Sequence, residues 1–170
     1  MADGGCEMVT EFIPHEGNTR ILRDAFSRFV SGVTVVTAAS NEGPVGITAN
    51  SFSSLSLDPP LVLWSPFKGS HRFPFFENAQ HFAIHILSGD QEYLCHDFAK
   101  SLYGFDNAEV SFNAEDVPLL ENCLARFECK KRAIYPGGDH VIVVGKVEKV
   151  QMRDGNALSF FAGKFRELST

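Results

Sequence analysis

Positive charge is in short supply. The chain carries 15 Lys and Arg against 21 Asp and Glu, a formal net charge of −6. A protein that grips a phosphate backbone displaces counterions with a basic stripe. The one basic cluster here, Lys130 to Arg132, reads as a solvated strand segment. Long apolar runs are also missing, so no segment suits a membrane-spanning helix. Residues 1–10 have neither the basic end nor the apolar run of a secretory leader. Together these lacks argue for a cytoplasmic protein with no nucleic-acid and no membrane partner.

Metal and nucleophile signatures are equally thin. Four cysteines, Cys6, Cys95, Cys123 and Cys129, show no CxxC spacing, and in a reducing compartment they read as structural thiols. Cys95 adjoins His96 but lacks the second ligand pair of a metal site, so no metal is expected. Neither a GxGxxG fingerprint nor a P-loop occurs, so the common nucleotide-binding folds are not indicated. No catalytic triad or carboxylate dyad stands out.

Phenylalanine is plentiful, with 16 in 170 residues. So much apolar area without a polar handle suggests a subunit interface or an aromatic-lined pocket. The length suits one domain. Residues 1–18, polar and Gly-rich, read as a flexible N-terminal arm, with the domain proper at 19–170. Thr19 is a plausible N-cap, and Ile21, Leu22, Ala25, Phe26, Phe29 and Val30 follow helical spacing with one buried face.

Beyond Gly32 the pattern turns to β. The β-branched run at 33–39 turns at "SNEGP" and returns as "VGITAN", a hairpin. Ser70 is placed to cap a brief helix, and Ser88 with Gln91 forms a capping box for a helix to Lys100. Between Tyr103 and Leu120 the periodicity is lost, which predicts a loop. From Leu124 to Tyr135 alternation puts Arg126, Glu128, Lys130 and Arg132 on a wet face. About seven short strands with few helices predict a mainly β, small antiparallel barrel.

The stretch "GITANSFSSLSLDPPLVLWS", Gly46 to Ser65, surrounds small hydroxyls and amides with apolar segments. Such a segment lets a flat ligand approach the backbone closely. An isoalloxazine ring needs that kind of wall, and its phosphate-bearing tail needs donors: Ser53, Ser54 and Ser70, with Lys68 or Arg72 adding charge. On composition alone the same hydroxyls suit a solvated bend modestly better, since Ser-rich turns are common.

The blocks "FSRFVSGVTVVTA", "GITANSFSSLSLDPPLVLWS", "FAIHIL", "GDHVIVVGKV" and "LSFFAGKFREL" occur in an order and spacing that resemble the short-chain flavin reductases, the reductase components of two-component monooxygenases. The similarity runs from about Ala25 to Leu168. It implies the FMN-binding split β-barrel, a homodimer, and reduction of FMN or FAD by NADH or NADPH for a downstream flavin-dependent monooxygenase. It also places Thr48, Ala49, Asn50 and Ser51 along the flavin ring and ribityl chain, and Ser53, Ser54 and Ser70 on the phosphate side. Phe98 then lies near the flavin, His140 of "GDH" near the nicotinamide, and Phe165 where the family often has Tyr. His85 stands where Asn is common, and residues 101–118 depart from the family pattern.

Hydride transfer between these cofactors needs no activated nucleophile, only two rings held at near-attack distance. That accounts for the silence of the acid–base motifs. His140 is then a positioning group rather than a proton donor; without the resemblance it is an ordinary turn histidine. The competing expectation is a flavin- or haem-binding split-barrel protein without turnover. An oligonucleotide-binding barrel fits the strand count but not the acidic charge.

Overall fold

The computed structural model describes residues 9–169 of the protein. A 3-10 turn at Glu16–Asn18 leads into helix α1 (Thr19–Phe26). Strands β1 (Ser31–Gly32), β2 (Thr34–Ser40), β3 (Gly43–Ala49), β4 (Ser53–Leu57) and β5 (Pro60–Trp64) follow. Next come α2 (Phe73–Asn78), β6 (His81–Ile86) and α3 (Glu92–Lys100). The chain continues through β7 (Val110–Phe112), β8 (Pro118–Leu120), β9 (Ala125–Gly137), β10 (His140–Met152), β11 (Ala157–Phe161) and β12 (Lys164–Leu168). The expected N-terminal arm lies partly outside the described residues, which begin at Val9.

Seven strands form one antiparallel sheet in the order β3-β2-β6-β9-β10-β5-β4. Its two edge strands, β3 and β4, are joined by residues 50–52 alone. Four Cα steps from Ala49 to Ser53 span at most about 14 Å, whereas the edges of seven flat strands would stand about 29 Å apart. The sheet therefore rolls up, and its edges converge at residues 50–52. The mainly β, antiparallel architecture agrees with the expectation from sequence. A three-stranded sheet, β1-β11-β12, and a ribbon, β7-β8, complete it.

Strand β2 is buried on both faces, which is why it reads as a nearly continuous β-branched run. Val36 and Ala38 enter the core inside the roll with Trp64, Phe76, Phe82 and Ile84. Val35, with Val33 just ahead of the strand, packs under α3 with Leu94, Cys95, Phe98 and Leu158. Glycine permits two close approaches: a Cβ at Gly145 would lie 2.6 Å from the Phe82 ring, and one at Gly46 2.4 Å from the Phe98 ring.

Four local expectations change. The stretch from Tyr103 to Leu120 holds the β7–β8 ribbon, with Val110 paired to Leu120, in place of a plain loop. That ribbon covers part of the sheet, so Arg126 and Glu128 are buried rather than wet. Arg126 donates to the Leu120 carbonyl and to Gln151, while Glu128 accepts from Asn113 and faces Lys149. Alternation along a strand shows which residues share a face, but cannot show that a distant ribbon covers it.

The third change concerns α1, which buries no residue. Ile21, Phe26, Phe29 and Val30 are all exposed, because periodicity reveals an apolar face without naming what covers it. Fourth, Ser70 does not cap α2, whose N-cap is Arg72; the Ser70 hydroxyl instead accepts the Arg72 N–H at 3.2 Å. The Ser88–Gln91 capping box is present, at the 3-10 turn that enters α3.

Candidate functional site

The corner where the sheet edges converge carries the small residues singled out above. Thr48 ties this corner to α3 by donating its hydroxyl to the Cys95 carbonyl at 2.7 Å. Thr48, Ala49, Asn50 and Phe165 line one cleft of about 140 Å³ with Cys95 and Phe160. Phe165 is held there edge-on to His96, with centroids 5.3 Å apart, and also packs against Phe160.

Asn50 is exposed and borders a second, larger cavity of about 670 Å³. His140 lines this cavity from the start of β10. Its remaining walls come from the end of α1 and the segment after it, including Arg23, Phe26, Arg28 and Phe29, and from Phe160 and Gly163 of the β11–β12 hairpin. The structure thus brings Asn50 and His140, 90 residues apart in sequence, to one opening.

The serines are placed differently. Ser51 is half-buried, and its hydroxyl is engaged with the backbone of Ser65. Ser53 and Ser54 are exposed on edge strand β4, where the Ser53 hydroxyl donates to the Ser54 carbonyl. With Ser70, these serines line neither cavity. Arg72, offered by the sequence as a phosphate partner, is buried and donates its guanidinium to the Phe98 and Ala99 carbonyls at the end of α3. Lys68 stays exposed. Phe98 is fully buried, edge-on to Phe105, so it supports Gly46 of β3 from behind and offers no surface of its own.

His140 follows the turn of Gly137, Gly138 and Asp139, where Gly138 takes a left-handed φ of 71°. Its Nδ1 lies 2.7 Å from the Asp139 carboxylate, and its ring packs against Phe67 at 5.4 Å. The His140 hydrogen bond holds the Asp139 carboxyl below the usual range, with the nearby Lys68 charge adding to the effect.

Chemically the site offers no nucleophile. Burial pushes the Cys95 thiol up to about 11 and the Cys123 and Cys129 thiols up to about 12, so all three are thiols near neutral pH. Among the described residues no cluster of His, Cys, Asp or Glu is arranged to hold a metal. A volume near 670 Å³ falls in the range of small-molecule sites. Aromatic rings beside two arginines suit a flat aromatic ligand with an anionic tail, so the residues present fit a flavin or nicotinamide nucleotide.

Sequence reasoning missed the cavity walls at Arg23, Phe26, Arg28, Phe29, Phe160 and Gly163. The signal was available: Arg28 and Phe29 sit in "FSRFVSG" and Gly163 in "FFAGKF", but the helix face was assigned to a core.

Comparison with known proteins agrees with the mainly β, antiparallel fold. The chain is 50% identical over 158 residues to the FMN reductase (NADH) SmoA of Agrobacterium fabrum, covering 93% of this chain and 91% of the relative. It is 40% identical to the reductase component of the flavin-dependent trigonelline monooxygenase of Acinetobacter baylyi, covering 86% of this chain but only 48% of that longer protein. Among solved structures, the NADH:FAD oxidoreductase of Streptomyces globisporus in complex with NAD and FAD fragments superimposes with a TM-score of 0.86. It is 33% identical, over 94% of this chain and 98% of that one. Residues 26–169 match the family described as the flavin reductase like domain, and the chain belongs to that family.

Proposed function

We propose that this protein is an NADH-dependent flavin reductase that releases reduced flavin to a partner monooxygenase. The observation that carries the reading is a cavity lined by both Asn50 and His140, open to rings and flanked by Arg23 and Arg28. NADH is the donor of choice because the Agrobacterium and Streptomyces relatives carry NADH in their names, and those names also cover both FMN and FAD as acceptor. The monooxygenase partner is supported by the Acinetobacter relative, itself a reductase component.

When bound together, nicotinamide and flavin supply the redox chemistry, a hydride passing from C4 of one to N5 of the other. The protein's work is to bind, orient and exclude water. Thr48, Ala49 and Asn50 provide a low wall against which a flat ring can lie, and Phe165 closes the adjoining cleft. The small side chains let backbone N–H and C=O groups at the corner meet the edge of the ring. His140 stands across the opening as a positioning group toward the nicotinamide. Arg23 and Arg28 supply charge for the phosphates, a task that Arg72 cannot perform from its buried position.

A homodimer is part of the reading. Ile21, Phe26, Phe29 and Val30 form an exposed apolar face, of which Phe26 and Phe29 also wall the cavity, and a second copy is the natural cover for it.

The test is steady-state oxidation of NADH and NADPH with FMN, FAD or no flavin. Many turnovers per protein only when flavin is present support the reading. Tight flavin binding without turnover would instead identify a flavin-binding split-barrel protein that does not catalyse.

A further inference from the structure

The GDH turn does more than deliver a histidine to the cavity. Its backbone is pinned on the side facing β5: the Lys68 N–H donates to the Asp139 carbonyl at 2.9 Å, and Phe67 pairs with His140 as an antiparallel bridge. The Phe67 ring packs on the imidazole, and Gly69 makes room for that ring, since a Cβ there would lie 2.6 Å from it. The imidazole is therefore held by its backbone, by one aromatic neighbour and by the Asp139 carboxylate at Nδ1.

That last contact decides which ring nitrogen carries the proton. An ionised carboxylate only accepts hydrogen bonds, and the Asp139 carboxyl is held below the usual range by this very contact. A separation of 2.7 Å therefore requires an N–H at Nδ1. In the neutral ring Nε2 is then a bare lone pair, and it has no hydrogen-bond partner among the described residues.

The geometry points to Asp139 as a positioning residue that fixes His140 in its Nδ1–H form, so that Nε2 accepts an N–H from the carboxamide of the hydride donor. This rests on the reductase reading above. It gives the acidic residue of the turn a task in the reaction although its own side chain is three-quarters exposed and does not line the cavity. The consequence is selectivity at the carboxamide: a donor with a methyl ketone in place of the amide offers no N–H and is used less well.

Two readouts test this. In the ligand-free protein, nitrogen NMR of the His140 ring should find the proton on Nδ1 in the wild type and on Nε2 in Asp139→Asn, whose amide can donate to Nδ1. In steady state, Asp139→Asn should raise the KM for NADH about tenfold, the scale of one lost hydrogen bond, with kcat changing less and the KM for flavin staying within about twofold. The wild-type preference for NADH over the reduced acetylpyridine analogue should collapse in this variant and return in Asp139→Glu.

A proton on Nε2 in the wild type would overturn the inference, as would an Asp139→Asn variant that keeps both the KM and the preference. Failure of the reductase reading is distinguishable. No flavin-dependent NADH turnover by the wild type, with the proton still on Nδ1, removes the catalytic role and leaves only a structural pair.

Discussion

The hydroxyl of Ser51 is clamped to the backbone of Ser65: its Oγ accepts that residue's N–H at 2.9 Å and lies 3.3 Å from its carbonyl. Ser51 sits in the three-residue corner between β3 and β4, and Ser65 follows β5. The clamp therefore sets the shape of the wall presented by Asn50, without the serine itself lining the cavity.

Ser51→Ala leaves the Ser65 N–H unpaired in a half-buried position, which should cost about 1–2 kcal/mol of stability. Denaturant unfolding measures the loss, and a flavin titration should show weaker binding through the loosened corner. Unchanged stability would mean that water replaces the hydroxyl and that the corner holds itself.

Asn50 is exposed, so its replacement leaves the fold alone. Asn50→Trp should keep stability within about 0.5 kcal/mol while weakening flavin binding more than about tenfold by filling the opening. Flavin fluorescence quenching reads the affinity, and a wild-type value would move the ring elsewhere.

His85 is fully buried between β2 and the β7–β8 ribbon; its Nδ1 meets the Val35 carbonyl and its Nε2 accepts the Leu120 N–H, each at 3.0 Å. Burial, helped by the Arg126 charge and opposed by the Val35 bond, lowers its pKa from 6.5 to about 3. The unfolded chain therefore binds a proton below pH 6.5 that the folded chain refuses until about pH 3. Stability from this group is complete above pH 6.5 and falls as the pH drops toward 3, by on the order of 5 kcal/mol in all. Unfolding free energies measured from pH 7 to 4 should show this slope. His85→Leu should flatten it while lowering stability at pH 7, because the Leu120 N–H is left unpaired.

The apolar face of α1 predicts an assembly. Phe26→Glu should turn a dimer into a monomer in sedimentation experiments, and because Phe26 is 69% exposed in the single chain, the fold should survive. A wild-type protein that is monomeric at every concentration tested would remove the dimer from the proposal.

Much of the β architecture was legible because the signals act over a few residues. The β-branched run from Val33 reads as the first strand of a hairpin, the Ser88–Gln91 box marks its turn, and Gly137 and Gly138 mark the sharp turn before His140. The β7–β8 ribbon was not legible, since its three-residue strands are too short to establish a period. The burial of Arg126 and Glu128 followed from that ribbon, and so escaped with it.

The sequence by itself determined the antiparallel β character and, through its ordered blocks, the family. Only the tertiary structure decided which of the named residues face a common space. Asn50 and His140 line one cavity because the sheet rolls until three residues bridge its two edge strands, a curvature set by register and twist across seven strands. The tertiary structure likewise turns Ser51 toward Ser65, commits Arg72 to the end of α3 and leaves the face of α1 exposed. Propensity and spacing describe what a segment is suited to do; which surface it meets depends on contacts between residues far apart in the chain.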